Sequence, residues 1–391
     1  MADTSAPPPP EATASSPMPT PEGETGDAAA AELPKVVVSP SFASILSENR
    51  ISLLVSTYDT GKVFLIRSHG NGVNVHFVGF DKAMGIAANP QRLVVGSRTR
   101  VCELFNMPAL IPRVEAPNLE GATYDACYVT RNDYVTGDIQ IHEMAFAGDQ
   151  LWFVNTRFSC LCTLEHPNSF NPRWRPPFVK ALSADDRCHL NGLAVVDNRV
   201  AFVTAFAATD EPQGWRPTKA TSGIIMEVPS GNVVATGLSM PHSPRYYANR
   251  LWVLDSGHGT IAFIDRATGK AQPFAQMSGF TRGLDFFGKM AFVGLSRVRE
   301  SSTFGGLPLT ERIDEKDRLC GVQALDLSTG KVEGYVKFES GVNEIFAVTV
   351  LPGLTFPTIL ERDDPLVDTC YALSPAALRE LRPVEVPAVE A

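Results

Sequence analysis

The chain has 391 residues, of which 44% are hydrophobic, and it carries 34 Lys and Arg residues against 43 Asp and Glu residues. This length allows one large domain or two ordinary ones, and the hydrophobic fraction excludes a wholly disordered chain. The net charge of -9 argues against a nucleic-acid-binding protein, because neutralising phosphates requires a surplus of Lys and Arg on one face.

The first residues differ in composition from the rest of the chain. Residues 1–34 contain no Lys or Arg, six acidic residues, and a run of prolines at positions 7–10. Such a stretch buries too little apolar surface to offset the entropy lost when it orders. We therefore expect residues 1–40 to form a disordered, acidic tail rich in Pro and Ala, and the remaining chain to be nearly neutral.

Targeting signals and cysteines indicate the compartment. The N-terminus lacks the basic and apolar regions of a secretory signal, and no apolar run is long enough to span a bilayer. The seven cysteines are an odd number and are scattered along the chain rather than arranged in a compact disulfide framework. We expect a cytoplasmic protein with reduced thiols and no membrane association. No Gly-rich phosphate loop is present, so we expect no nucleotide cofactor.

A repeated pair of strands follows the tail. Each copy has a short apolar strand, a tight polar turn, and a second strand rich in Val, Phe and Trp. The five copies span residues 84–97, 142–155, 191–204, 242–255 and 282–296. Most copies are followed by a further strand pair with a Gly-rich turn, and a repeating unit of four strands is typical of a β-propeller blade.

A sixth unit is divided between the two ends of the repeat region. Residues 51–68 supply its outer strands and residues 343–353 its inner strand, which would close the ring without free sheet edges. We predict an all-β fold over residues 41–360, a six-bladed β-propeller with a split closing blade. A C-terminal extension, residues 361–391, should contain one short helix at 374–382. The predicted insertions are 106–140, 164–189, 208–222 and 298–319.

Propeller geometry brings the starts of the inner strands to one mouth of the central channel, where the second strands end. After alignment on the hairpin turns, the inner strands start at Met84, His142, Asn191, His242, Arg282 and Asn343. Glu344 follows directly, Asn155 and Asp255 end second strands, and His189 and His258 lie nearby. Polar groups in such channels also satisfy backbone groups without any ligand. The clustering of histidines favours a ligand site.

The residue types indicate roles at this mouth. The predicted catalytic residues are His142, His242, Asp255 and Arg282. The predicted substrate-binding residues are Arg245, His189, His258 and Asn155. Asp255 or a histidine would act as general base, and the two arginines would favour an anionic substrate. The predicted ligands of a divalent metal are Glu344, Asn191, Asp255, Asn343, His142 and His242. These ligand types do not distinguish Ca, Zn, Mn and Fe.

Two resemblances follow from these residues. The pattern resembles the six-bladed propellers of the gluconolactonase and regucalcin group, in which a Glu, an Asn and an Asp bind a divalent cation. Glu344, Asn191 and Asp255 match that set in type and blade position, although the chain lacks the group's Gly-Pro-x-Trp phrase and adds two histidines. The phrases LLVSTYDTGKVFLI, HLNGLA and MPHSPRYYANRLWVLDSGHG resemble a bacterial family of conserved hypothetical proteins across residues 50–353. The second resemblance implies no activity.

Three functions are compatible with the sequence. The first is a metal-dependent hydrolase or lactonase acting on a small anionic substrate, because a cation polarises a carbonyl and activates water. The second is a non-catalytic propeller that binds a peptide or protein partner, with Trp174, Trp215, Tyr246 and Tyr247 as aromatic anchors. The third is a metal-free isomerase or lyase that uses histidines as acid and base. No oligomeric state is predicted.

Overall fold

Six four-stranded blades form a closed ring, as the repeat predicts. The innermost strand of each blade contacts that of the next blade, and the sixth contacts the first. The computed structural model describes residues 34–115, 119–298 and 305–381. It confirms the all-β, six-bladed propeller and the split closing blade.

The chain enters the ring through one short strand, one helix and the outer strands of the closing blade. These are β1 (Val36–Val38), α1 (Pro40–Asn49), β2 (Ile51–Thr57), β3 (Lys62–His69) and β4 (Gly72–Gly79). Blade 1 contains β5 (Ile86–Ala88), β6 (Arg92–Gly96), β7 (Arg100–Asn106) and β8 (Ala126–Val135). Blade 2 contains β9 (Ile141–Ala147), β10 (Gln150–Asn155), β11 (Cys160–Thr163) and β12 (Asn171–Trp174).

The remaining blades follow in chain order. Blade 3 contains β13 (Leu190–Val196), β14 (Arg199–Ala205), β15 (Gly223–Glu227) and β16 (Val233–Leu238). Blade 4 contains β17 (Pro241–Tyr247), β18 (Arg250–Asp255), β19 (Thr260–Asp265) and β20 (Lys270–Gln276). Blade 5 contains β21 (Phe280–Phe287), β22 (Met290–Ser296), helix α2 (Pro308–Arg312), β23 (Gly321–Asp326) and β24 (Val332–Phe338). The chain ends with β25 (Ile345–Pro352), β26 (Pro357–Ile359), α3 (Pro365–Asp368) and α4 (Pro375–Leu378).

The closing blade, blade 6, joins both ends of the chain. Strand β25 is its inner strand and pairs with β2, which pairs with β3 and then β4. Both neighbouring blades also receive a fifth strand from a chain end: β1 pairs with β24 of blade 5, and β26 pairs in parallel with β8 of blade 1. The chain ends therefore fasten three consecutive blades.

Several predicted boundaries were wrong. Strand β1 lies inside the stretch predicted as tail, and residues 1–33 of that prediction lie outside the described residues. Helix α1 was missed because only Phe42, Ala43 and Leu46 are buried on it, too few for a sustained helical pattern. Strands β8 and β12 lie in stretches predicted as insertions. Where a helix was predicted over 374–382, the structure has the four-residue α4.

The apolar core is divided among the blade interfaces. Between blades 5 and 6, Phe64 packs on Phe338 with ring centroids 4.9 Å apart, and Phe42 of α1 packs on Phe292. Every residue of β2 is buried, including the polar Ser52, Ser56 and Thr57, so both faces of this strand are covered. Among the described residues, no helix is long and apolar enough to span a bilayer.

Glycines occupy the same inner-strand position in blades 1, 3 and 5. Each lies against the inner strand of the following blade: a Cβ added at Gly192 would be 2.4 Å from Pro244 Cδ, and one at Gly283 would be 2.6 Å from Val348 N. Gly283 also has a φ of +83°, a conformation that side-chain-bearing residues rarely adopt. The absence of a side chain is what permits the inner strands to approach so closely.

Candidate functional site

A cavity of about 300 Å³ lies where the inner strands begin. Five of the predicted site residues line it: His142, His189, His242, Arg282 and Glu344. Its other walls include Tyr58, Phe206, Trp215 and Phe346. The alignment of the hairpins thus located the mouth at which these side chains meet.

Two of the predicted site residues lie in a different cavity. Asp255 and His258 line a separate cavity of about 470 Å³ beside β19 and β20. Asp255 Oδ2 lies 2.9 Å from His258 Nδ1, and Asp255 Oδ1 accepts a hydrogen bond from the backbone N–H of Ser239. Asp255 and His258 therefore do not line the central cavity with the other predicted residues; it is the hydroxyl of the next residue, Ser256, that reaches His242.

Arg245 lies deeper in the channel, where it cannot serve the cavity. Its guanidinium pairs with Glu143 at 3.0 Å and donates to the backbone oxygen of Pro244. Arg245 and Asp285 line a third cavity of about 240 Å³. The role of Arg245 is to compensate carboxylates buried in the ring, since removal of one partner would leave the other charge unpaired.

The three predicted asparagines hold the backbone framework. Asn191 Oδ1 accepts a hydrogen bond from Thr204 at 2.5 Å, and Asn155 Oδ1 accepts one from the N–H of Phe158 at 3.0 Å. Asn343 is fixed through its backbone N–H, which donates to Asp59. None of the three lines the central cavity.

The predicted set of metal ligands is therefore not brought together. Asp255, Asn191 and Asn343 are absent from the cavity wall, and the Glu344, Asn191 and Asp255 set of the gluconolactonase and regucalcin group is split among three places. Within residues 34–115, 119–298 and 305–381, no three His, Cys, Asp or Glu side chains could hold one metal ion. The metal itself stays a prediction.

His142 and His242 are held by the same arrangement. Nδ1 of His142 lies 3.1 Å from the backbone oxygen of Gln140 and 2.9 Å from Thr156 Oγ1. Nδ1 of His242 lies 2.9 Å from the backbone oxygen of Met240 and 2.9 Å from Ser256 Oγ. A carbonyl oxygen only accepts, so Nδ1 must carry the proton in both rings. The neutral rings therefore keep an unprotonated Nε2.

These two rings stay neutral at physiological pH. Burial is the main cause that holds the pKa of His142 well below its usual range, followed by repulsion from His189 and Arg282. Burial, followed by Arg282 and His189, does the same for the pKa of His242. Both rings are thus available as hydrogen-bond acceptors or bases.

His189 forms a dyad with Asp186. Its Nδ1 lies 2.8 Å from Asp186 Oδ2, which also accepts a hydrogen bond from the indole of Trp215 at 3.1 Å. Asp186 Oδ1 is buried and has no hydrogen-bond partner within the described part of the chain. The carboxylate fixes the Nδ1–H tautomer and stabilises an imidazolium if Nε2 takes a proton.

Arg282 and Glu344 supply opposite charges to the wall. Arg282 lies over the ring of Phe346, 3.6 Å from its centroid, and burial lowers its pKa to about 10. The guanidinium makes no hydrogen bond or ion pair with any other described residue. Burial raises the pKa of Glu344, with Arg282 opposing the shift and Asp59 adding to it.

The sequence did not reveal the residues contributed by the insertions. Asp186, Phe206 and Trp215 lie in or beside stretches 164–189 and 208–222. For Trp215 the sequence left both a partner anchor and structural burial open, and the structure shows it 1% exposed in the cavity wall. The available signal was the spacing of Asp186 and His189, three residues apart, just before an inner strand. Both have φ values near +50°, which turns the two side chains toward each other.

Comparison with known proteins places the chain in a family. The sequence pattern described as Domain of unknown function (DUF4915) matches residues 40–360, which is most of the chain. The chain belongs to the DUF4915 family. This agrees with the resemblance to a family of conserved hypothetical proteins. No curated protein sequence matches this DUF4915 chain.

Three solved structures are similar to this DUF4915 chain. A chain of a nidogen/laminin complex is 11% identical, with a TM-score of 0.48, covering 78% of this chain and 99% of that chain. A protein of unknown function from Bacteroides caccae is 9% identical, with a TM-score of 0.49 and coverage of 77% and 98%. The virginiamycin B lyase of Staphylococcus aureus is 11% identical, with a TM-score of 0.37 and coverage of 62% and 76%.

Proposed function

We propose that this protein is a metal-independent enzyme of the isomerase or lyase type that moves a proton on a small anionic substrate. The observation that carries the proposal is the set of three histidines whose Nδ1 is bound to oxygen and whose Nε2 is left for substrate, in one cavity with a guanidinium that has no oxygen partner among the described residues. This combination supplies a base and an anion anchor within one cavity.

Arg282 is the anchor for the substrate anion. A half-buried guanidinium without an ion pair is costly, and an incoming carboxylate removes that cost through two parallel N–H···O bonds. The same contact stabilises the negative charge that develops when a proton leaves the carbon next to the carboxylate.

The proton transfer needs one base and one acid. His189 Nε2 takes the proton from that carbon, and the electron pair of the C–H bond moves toward the carboxylate held by Arg282. In an isomerase the pair then takes up a proton at another carbon. In a lyase it expels a leaving group from the neighbouring carbon. Glu344, whose pKa is raised by burial, lines the same cavity and supplies the second proton.

The hydrolase or lactonase predicted from the sequence is less well supported. It depends on a metal to activate water, and the predicted ligands lie in separate parts of the fold. Proton-transfer chemistry needs only groups that the cavity wall contains. The two functions differ in their response to chelators, which makes them separable in one assay.

Deuterium exchange tests the proposal. The purified full chain is incubated in D₂O with a panel of 2-hydroxy-, 2-oxo- and β,γ-unsaturated carboxylates, and loss of C–H signals is followed by proton NMR. We expect exchange with at least one member of the panel, unchanged by EDTA. The variant His189→Gln should exchange more slowly by about 100-fold or more.

The matched control is His258→Gln. His258 is also bonded to an aspartate, but it lies in the other cavity, so its loss should leave exchange unchanged. Absence of exchange with every carboxylate would overturn the proposal. Exchange that is lost in EDTA and restored by a divalent metal would favour the metal-dependent hydrolase instead. Equal losses in both histidine variants would show that His189 is not the base.

A further inference from the structure

The wall of the cavity is a continuous series of planar rings. The series runs through Tyr58, Phe346, His142, His189, Phe206, His242 and Phe280. Neighbouring centroids are 4.3 to 5.9 Å apart. All seven rings line the cavity. Interplanar angles between neighbours range from 29° to 81°, so the wall presents both ring faces and ring edges. Such a wall suits an aromatic ligand, because stacked and edge-to-face contacts add to simple apolar burial.

Arg282 offers a ligand the N–H groups along its edge. Phe346 covers one face of the guanidinium at 3.6 Å, and this contact holds the plane of the guanidinium in place. The N–H groups along the edge have no acceptor among the described residues. A planar carboxylate matches such an edge with two parallel hydrogen bonds.

The charges around Arg282 favour a single negative charge. Glu344 and Asp186 also line the cavity, and Asp186 already has its Oδ2 occupied by two donors. His142 and His242 are buried and bonded through Nδ1 to backbone oxygens. A second guanidinium, Arg216, also lines the cavity, but it lies over the ring of Trp215 at 4.5 Å and donates to Gln213 Oε1 at 2.7 Å. Arg282 is thus the guanidinium of the wall that has no oxygen partner among the described residues, which suits a monocarboxylate, whereas a phosphate dianion would also face the carboxyl groups of Glu344 and Asp186.

We infer that the site takes a small monocarboxylate whose body is flat and aromatic. The inference rests on the proposed function for the identity of the site and adds the class of substrate. A cavity of about 300 Å³ is at the small end of the range for ligand sites, which fits a single aromatic ring joined to a short carboxylate arm.

Four probes of similar size test the inference by isothermal titration calorimetry on the full chain. trans-Cinnamate has both features, hexanoate lacks the ring, cinnamamide lacks the charge, and phenyl phosphate carries a second charge. We expect cinnamate to bind at least several-fold more tightly than hexanoate, from the aromatic contacts. It should also bind more tightly than phenyl phosphate and cinnamamide.

The variant Arg282→Gln should weaken cinnamate binding on the order of 10- to 100-fold and leave cinnamamide unchanged. The matched control is Arg250→Gln, since Arg250 also lies over an aromatic ring, Phe263 at 4.6 Å, but is exposed outside the cavity. This control should bind every probe as the wild type does. If Arg282→Gln does not fold, the order of the four affinities measured on the wild type still tests the inference.

The outcomes separate this inference from the proposed function. Hexanoate or phenyl phosphate binding as tightly as cinnamate, or no cinnamate binding at all, would overturn the inference. If the wild type exchanges deuterium on aliphatic carboxylates but does not bind cinnamate, the function stands and the substrate class fails. If cinnamate binds through Arg282 but no carboxylate exchanges, the substrate class stands and the catalytic function fails.

Discussion

At the scale of single residues, the site repeats one arrangement in two blades. His142 and His242 each point Nδ1 at the backbone oxygen two residues earlier and at a hydroxyl 14 residues later, Thr156 or Ser256. Each hydroxyl lies just after a second strand, where the blade returns to the mouth. The repeat of the fold therefore produces two identically oriented imidazoles.

The lowered pKa of His142 and His242 predicts a pH-dependent stability. Both rings resist protonation in the folded state, whereas their unfolded pKa is near 6.5, so the unfolded state takes up more protons as the pH falls below that value. Between pH 7.5 and 5.5, the wild type should lose about 2 kcal/mol of unfolding free energy relative to the double variant His142→Gln/His242→Gln. Urea unfolding at both pH values measures this difference.

His258 provides a control, because its contribution to stability should depend on pH in the opposite direction. Its hydrogen bond to Asp255 raises its pKa, so the folded state holds the proton more tightly, and the stabilisation is lost as the pH rises through that raised value. The variant His258→Gln should therefore be less stable than the wild type at low pH, and this difference in unfolding free energy should shrink as the pH rises. Parallel pH profiles for both kinds of variant would contradict the assigned environments.

The variant Asp186→Asn tests the dyad. An amide cannot stabilise an imidazolium as a carboxylate does, so the deuterium exchange rate should fall by about 100-fold or more while cinnamate affinity changes little. The variant Trp215→Phe removes only the indole donor to Asp186 and should cost much less. A large loss of affinity in Asp186→Asn, with the rate at saturation unchanged, would contradict a positioning role.

At the scale of elements, the residues of the inner strands determine how closely neighbouring blades approach at the centre of the ring. Glycines in blades 1, 3 and 5 lie against the following inner strand, and polar or carboxyl residues stand at the same position in blades 2, 4 and 6. The closest approaches of these glycines therefore fall at alternate interfaces, between blades 1 and 2, 3 and 4, and 5 and 6.

The variant Gly283→Ala should be strongly destabilised. The new Cβ would lie 2.6 Å from Val348 N in the closing blade and would also require an unfavourable positive φ. We expect a loss of about 2–5 kcal/mol in urea unfolding. The control is Gly237→Ala, where φ is +78° but no atom lies within 4 Å, so only the backbone term of about 1–2 kcal/mol remains. Equal losses in the two variants would show that the close approach is not limiting.

The sequence predicted those elements whose signals are local. Hairpins such as residues 191–204 carry their apolar strands and their turn within 14 residues, and they were found with little error. Strands β1 and β26 have three residues each and gain their order from distant partners. The same difference between local signals and distant contacts applies to the residues of the candidate site. His142 follows from the repeat, whereas the contact of Asp186 with His189 depends on how an insertion turns.

At the scale of the whole molecule, the chain ends hold the ring shut. Arg67 of β3 is 3% exposed, donates to the backbone oxygen of Pro357 at 2.6 Å, and lies over the ring of Phe356 at 4.2 Å. The C-terminal strand β26 thus secures blade 6 as well as blade 1. Strand β1 does the same on the other side, through blade 5.

Truncated chains should distinguish the effect of the strand that closes the ring from the effect of the contacts that reinforce it. A chain ending at Leu354 keeps β25 but loses both contacts of Arg67, and it should fold with a loss of about 2–5 kcal/mol. A chain ending at Leu360 retains those contacts and should lose less. A chain ending at Gly341 lacks β25 and should show no cooperative unfolding by circular dichroism. Cooperative unfolding of this last chain would show that the closing strand is dispensable.

The split closing blade has a consequence during protein synthesis. Strand β2, buried throughout in the finished ring, is translated early, while its partner β25 emerges roughly 290 residues later. At ribosomal rates of about 5–20 residues per second, β2 waits roughly 15 to 60 seconds with one backbone edge unpaired. The nascent chain therefore carries an unpaired strand edge for about three quarters of its translation, and during that time the edge is open to pairing with other chains.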